Sequence, residues 1–185
     1  MRRGLYMMNE QFELHQAKVE ELELVEGVLI EAAKWIKLKG SKQWSGLLAE
    51  SDGKDNHDMR GALLRGDVYY GTIKGKVGGV FLLWDKQSEW DQTLWGEDAS
   101  QDYMYLHRLA IKREYAGTGL SQTLVQSAIN LGKEKEKKAI RLDCVKNKEY
   151  LNRLYQKAGF KLVSSVEGHD AGEQIADFNL YQYNL

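Results

Sequence analysis

Apolar positions along the chain follow two rhythms. Over residues 19–37, Leu22, Val25, Leu29, Ala32 and Ile36 recur every three or four places, which predicts a helix with one inward face. Glu20, Glu21 and Glu23 suit the positive end of that helix, Lys37 and Lys39 its negative end, and Gly40 supplies a stop. The pattern returns over residues 120–131 (Leu120, Leu124, Ala128, Leu131) and over residues 148–157, where Leu151, Leu154 and then Ala158 mark the inner face and Gly159 the end. Residues 44–50 and 58–64 read as short helices. Residues 12–18, 68–73, 77–84, 103–111, 139–145, 160–166 and 175–183 are rich in branched and aromatic side chains and read as strands, with a hairpin at Lys74-Gly75-Lys76. Residues 85–102 read as a long acidic loop carrying Trp90 and Trp95, and a second polar loop holds His169, Asp170 and Gly172. A loop as long as the first is usually functional or mobile. The order is strand, helices, antiparallel strands, then strand–turn–helix–strand–helix–strand–strand. That is a mixed α/β (α+β) plan with one main sheet.

Composition narrows the function classes. A chain of 185 residues, 43% hydrophobic, suits one domain over residues 11–185, preceded by a flexible tail over residues 1–10. Charged residues make up 29% with a net charge of -1, so no basic field points to nucleic acid. No apolar run is long enough to cross a bilayer, and the start lacks the apolar stretch of a secretion signal. A single cysteine, Cys144, excludes an intrachain disulfide and fits a reducing, cytoplasmic setting. The four histidines show no metal-ligand spacing, so no metal is expected.

The turn Ala116-Gly117-Thr118-Gly119-Leu120-Ser121 lies between a strand and a helix. Such a turn holds phosphates by close backbone approach and by the open N–H groups of the first helical turn. The Lys-Ser or Lys-Thr pair of a nucleoside-triphosphate loop is missing, and Gln122 stands where a dinucleotide fingerprint needs its third glycine. A pyrophosphate held by backbone alone, as in coenzyme A sites, and a plain ligand-free turn both remain open on these residues.

Taken together, Tyr105-Leu106-His107-Arg108-Leu109-Ala110-Ile111, Tyr115-Ala116-Gly117-Thr118-Gly119-Leu120-Ser121 and Leu151-Asn152-Arg153-Leu154-Tyr155-Gln156-Lys157-Ala158-Gly159-Phe160 resemble the GCN5-related N-acetyltransferase (GNAT) superfamily. The resemblance implies a mostly antiparallel sheet flanked by helices. In it the strand over residues 103–111 carries a bulge and splays from the strand over residues 139–145. It implies acetyl-CoA as cosubstrate, its pantetheine arm paired with the backbone of Leu109, Ala110 and Ile111 and touched by Asn152. Its pyrophosphate would lie on Ala116, Gly117, Thr118, Gly119, Leu120 and Ser121. The family's usual Gln or Arg is absent at Ala116, where Lys112 or Arg113 is the candidate replacement. Ser121 stands for the usual Gly or Ala, and Asn147 comes one place before the family's helix-opening asparagine.

Acetyl transfer needs a neutral amine, donors for the oxyanion and a donor for the departing thiolate. The resemblance gives the last role to Tyr155 and the oxyanion contact to the Leu109 N–H. A phenol titrates above a thiol, so at neutral pH it still carries its proton. His107 is a candidate base or a structural strand histidine. Trp90, Asp91, Trp95, Glu97 and Asp98 are candidate contacts to a cationic amine or an ordinary acidic surface. The expected acceptor is a primary amine of a small molecule or peptide, a homodimer is compatible with the chain, and the competing reading is a degenerate CoA-binding or regulatory module.

Overall fold

The structure is a computed structural model that describes residues 11–48, 59–172 and 174–185. The expected tail, residue 58 of an expected helix, and His57 lie outside them. Seven strands run β1 (Phe12–Gln16), β2 (Val68–Ile73), β3 (Lys76–Trp84), β4 (Tyr103–Ile111), β5 (Ala139–Val145), β6 (Lys161–Asp170) and β7 (Ile175–Asn184), hydrogen-bonded in the order β1-β2-β3-β4-β5-β7-β6. The helices are α1 (Leu22–Leu38), α2 (Met59–Arg65), α3 (Glu89–Trp95), α4 (Leu120–Glu134) and α5 (Glu149–Lys157). The sheet is mostly antiparallel, as expected, with β4 and β5 parallel.

The chain gathers into two compact units, and β4 and α4 each pass from one to the other. The first takes in the described residues to Leu82 and Arg108–Leu124. Here β1, β2 and β3 form an antiparallel meander. The β2–β3 hairpin turns through Lys74 and Gly75, both at positive φ (52° and 77°), the backbone that lets a two-residue loop match the strand twist. The predicted N-terminal acids cap α1's entry: the Lys18 N–H donates to Glu21 Oε2 at 2.8 Å, and the Tyr70 hydroxyl donates to Glu21 Oε1 at 2.7 Å. The buried stripe of α1 is Val25, Val28, Leu29 and Ala33; it keeps the predicted Val25 and Leu29, while the predicted Ala32 and Ile36 are only partly buried. The start of α4 lies close on the meander because β3 carries glycines where it passes. A Cβ at Gly78 would come 2.8 Å from Leu120 Cδ2, and one at Gly79 2.6 Å from Leu124 Cδ1 and 2.8 Å from the Ala110 carbonyl oxygen. Leu120 and Leu124 are fully buried there, each worth roughly 2 kcal/mol of apolar transfer.

The second unit holds Leu83–His107 and Val125–Leu185. Its strands β5, β7 and β6 pair antiparallel, and β5 pairs in parallel with the start of β4. Residues 85–102 contain α3 rather than an uninterrupted loop. Ser88 caps it: its Oγ accepts from the Asp91 N–H at 3.1 Å, while its own N–H donates to Asp91 Oδ2 at 2.9 Å. Strand β6 runs on to Asp170, so His169 lies on a strand and not in the expected loop. The inner face of α5 also differs. Asn152 and Tyr155 are its buried residues, whereas Leu151 and Leu154 are only partly covered. The reason is a buried hydrogen-bond cluster around Asn152, described below. No helix of the described residues is long and apolar enough to cross a membrane.

Candidate active site

In the first unit, β4 ends in Leu109, Ala110 and Ile111, and the chain turns through a short helical loop, Arg113–Tyr115, into the glycine segment. Gly117 and Gly119 have φ of 75° and 87°, the left-handed region that side chains resist. The Thr118 N–H and hydroxyl both return to the Tyr115 carbonyl, at 3.2 and 2.6 Å, which holds the turn's shape. No described hydrogen bond uses the amides of Gly117 or Gly119, and those from Leu120 onward begin α4, where a helix leaves its N–H groups without internal acceptors. Ala116, Gly117 and Thr118 are exposed, and Ser121 is partly so. The two candidate replacements for the missing Gln or Arg differ. The Arg113 guanidinium lies 3.8 Å above the Trp35 ring, and its backbone N–H donates to Glu31 Oε1 at 3.1 Å. Lys112 lines a cavity of about 520 Å³ with Glu23, Glu31, Lys76 and Glu114.

In the second unit, the parallel pairing of β4 with β5 covers Tyr103 to Tyr105 against Ala139 to Arg141. Leu106 and His107 then run on without pairing to Leu142 and Asp143, so the two strands part as the resemblance implies. The next residue, Arg108, has φ of 50°, the left-handed kink expected of the implied bulge. The kink interrupts the alternation that would have put Tyr103, Tyr105, His107, Leu109 and Ile111 on one face.

Successive residues of β5 serve opposite faces. On one, the Asn152 amide is fully engaged. Its Oδ1 accepts from Asn179 Nδ2 and the Tyr181 hydroxyl, both at 2.7 Å, and from Cys144 Sγ at 3.4 Å. Its Nδ2 donates to the carbonyls of Val145, Lys146 and Lys148 at 2.9–3.3 Å. Asn152, expected at the pantetheine arm, thus ties α5 to β5 and β7. Tyr155, one turn on, is 7% exposed, packs against Phe160 and Tyr181, and makes no described hydrogen bond through its hydroxyl. Burial first, then the proximity of Cys144, Asp143 and Tyr150, pushes its pKa well above the ordinary phenol value, so the group stays protonated. Burial likewise raises the Cys144 thiol to about 12, which makes it a poor nucleophile.

On the other face, α3 brings in a group that sequence spacing did not show. Trp90 Nε1 donates to Asp143 Oδ1 at 3.0 Å, and Asp91 Oδ2 lies 3.1 Å from His107 Nε2. Asp91, His107 and Asp143 place ligand-type atoms within 4.8 Å of one another, the spacing of a cation site. The Asp91 Oδ2 atom, however, already takes the Ser88 N–H and hydroxyl as well as His107, and Trp90 holds one Asp143 oxygen. One oxygen of each carboxylate is thus committed to a hydrogen-bonded network. The sequence signal for it is Ser88-x-x-Asp91, a capping-box spacing that starts a helix inside residues 85–102. Two other loop candidates are engaged within the protein: the Trp95 ring and the Tyr103 ring flank the Arg141 guanidinium at 4.6 and 3.5 Å, and Asp98 pairs with Arg141 at 3.6 Å.

Residues 37–160 match the model of the acetyltransferase (GNAT) family. The uncharacterized N-acetyltransferase YesJ of Bacillus subtilis strain 168 is 38% identical over 149 residues, covering 80% of this chain and 81% of its own. A GNAT-family acetyltransferase structure from Listeria monocytogenes 4b F2365 superposes with a TM-score of 0.74 at 32% identity, covering 94% of this chain and 95% of its own. The fold also matches RimL, the ribosomal L7/L12 α-N-protein acetyltransferase solved with coenzyme A, with a TM-score of 0.72 at 14% identity and 96% of each chain covered. This chain belongs to the GNAT family and is an acetyl-CoA-dependent N-acetyltransferase.

Proposed function

We propose that the enzyme acetylates a primary amine of a small molecule or peptide by direct attack on the thioester, with Tyr155 as the general acid toward the CoA thiolate. The observation that carries this reading is the Tyr155 hydroxyl. Around it Asn152, Asn179, Tyr181 and Cys144 are all hydrogen-bonded, while the phenol alone donates to nothing described and is kept neutral by burial. Such a group is a reserve donor for a sulfur that gains charge as the C–S bond breaks.

The other parts follow from chemistry of the same kind. The amides of Gly117, Gly119, Leu120 and Ser121 are suited to an anion, which assigns them the pyrophosphate. The backbone of Leu109, Ala110 and Ile111 is assigned the pantetheine arm, with the Leu109 N–H steadying the thioester oxygen. Asn152 acts on this reading by fixing the helix that carries Tyr155.

Thiol release from acetyl-CoA, followed across primary amines and short peptides with free N-termini, tests the proposal. Release that depends on the amine, together with calorimetric binding of coenzyme A, is the expected result. Coenzyme A binding without thiol release for any amine would overturn it.

A further inference from the structure

The amine reading leaves one requirement unassigned. An aliphatic amine arrives as an ammonium ion and must lose a proton before it can attack. Three ionisable groups converge on the α3 face of β5, and their hydrogen bonds divide the work among them. Asp91 is 1% exposed, which closes it to a ligand, and its Oδ2 takes two donors from Ser88 and one from His107. His107 is directed by Asp91 through Nε2. Asp143 differs from both. It keeps part of its surface open, only its Oδ1 is held, by the Trp90 indole at 3.0 Å, and Oδ2 takes no described hydrogen bond. It also stands two residues past Arg141, the last β5 residue paired with β4, where the strands have parted.

We propose that Asp143 is the general base of the transfer, accepting a proton from the acceptor ammonium on Oδ2, and that Trp90 and the Asp91–His107 pair are its positioning residues. The inference rests on the amine reading above. The proton balance closes in four moves. The ammonium gives one proton to the Asp143 carboxylate. The neutral nitrogen attacks, forming the C–N bond and a tetrahedral oxyanion. The intermediate collapses, the C–S bond breaks, and the thiolate takes the Tyr155 proton. The second nitrogen proton restores Tyr155, while the proton on Asp143 leaves to solvent, so one proton is released per turnover.

The electrostatics agree with this geometry. His107 from β4, Asp91 from α3 and His169 from β6 are the charged or titratable groups that face Asp143, and Tyr155 and Cys144 sense it from beyond β5. Burial raises the Asp143 carboxyl above the usual carboxylate range, with His107 and the Trp90 hydrogen bond acting in the opposite direction. A raised carboxyl is the stronger base.

The test compares two kinds of nucleophile on wild type and Asp143→Asn, a change that keeps an oxygen for Trp90. The strongly basic probe is the fastest primary alkylamine in the panel, and the weakly basic one is O-methylhydroxylamine, which is neutral at assay pH. Asp143→Asn is expected to lower kcat/KM for the alkylamine by about 10²-fold or more. It should leave O-methylhydroxylamine turnover and coenzyme A affinity nearly unchanged. An equal loss with both nucleophiles, or no loss with either, overturns the proposal. Should the variant fail to fold, the wild-type pH profile decides: an acid limb in kcat/KM for the alkylamine that levels off well below the amine's own pKa of about 10 supports the base, and a limb that climbs to the amine's own pKa overturns it. Failure of wild type to release thiol with any amine is a different result, which removes the amine reading itself.

Discussion

The two faces of β5 are built from adjacent residues and yet follow opposite rules. On the Cys144 side, each polar group around Asn152 has its partner inside the protein, and the Tyr155 phenol is the exception. On the Asp143 side, two carboxylates and an imidazole stand within 4.8 Å, and the Asp143 Oδ2 takes no described hydrogen bond. Buried polar groups are normally satisfied, so a completed network marks scaffold and an incomplete one marks chemistry. The comparison also explains why the phenol and the carboxylate, rather than the more numerous amides, carry the proposed proton transfers.

Substitution can break this contrast at several points. Tyr155→Phe removes a phenol that makes no described hydrogen bond, and kcat should fall by about 10²–10⁴-fold, equivalent to ~3–5 kcal/mol, with the dissociation constant for coenzyme A little changed. Equal losses in both would make Tyr155 a binding residue. Asn152→Leu should act on stability instead. It strands buried partners on β5, β7 and the start of α5 and should cost about 3 kcal/mol, read as a lower urea midpoint. Trp90→Phe strikes the other face. Loss of its single donated bond should cost only about 1 kcal/mol of stability. Because that bond lowers the Asp143 pKa, its removal should move the acid limb of the alkylamine profile to higher pH.

The smallest effect belongs to an ion-linked pair in the other unit. The Tyr70 hydroxyl holds the Glu21 carboxyl below its ordinary value of 4.5. A depressed folded value stabilises the protein above the ordinary one and loses that contribution as pH falls through the folded one. Tyr70→Phe should therefore flatten the acid side of the stability curve by no more than about 0.5 kcal/mol, since Glu21 is largely solvated. A larger change would show that this pair anchors α1 more firmly than its exposure implies.

The sequence made the strands, the long helices and the glycine turn legible because each depends on local rhythm or on backbone freedom. Strands β4 and β5 have the bounds read from the residues alone, and Gly117 and Gly119 adopt the positive φ that their identity allows. The features that local rhythm does not show are those governed by partners distant in the chain. At Asn152 the family motif points to the pantetheine arm, while Asn179 and Tyr181, which engage its amide, lie 27 and 29 residues away and leave no local signal. Helix α3 is seven residues long, too short for a periodic signal, and only its cap announced it. Asp143 sat unremarked in an apolar strand until Trp90, 53 positions earlier, was placed against it.

Gly79 sets how closely the opening turn of α4 lies on β3. A single added methyl there would press on the Leu124 side chain and the Ala110 carbonyl and lift the opening turn of α4 from its bed. The amides proposed to hold the pyrophosphate would rise with it, so on that reading the missing side chains of β3 set the height of the diphosphate seat. Selection on coenzyme binding should accordingly be felt at a carbon atom that is not there.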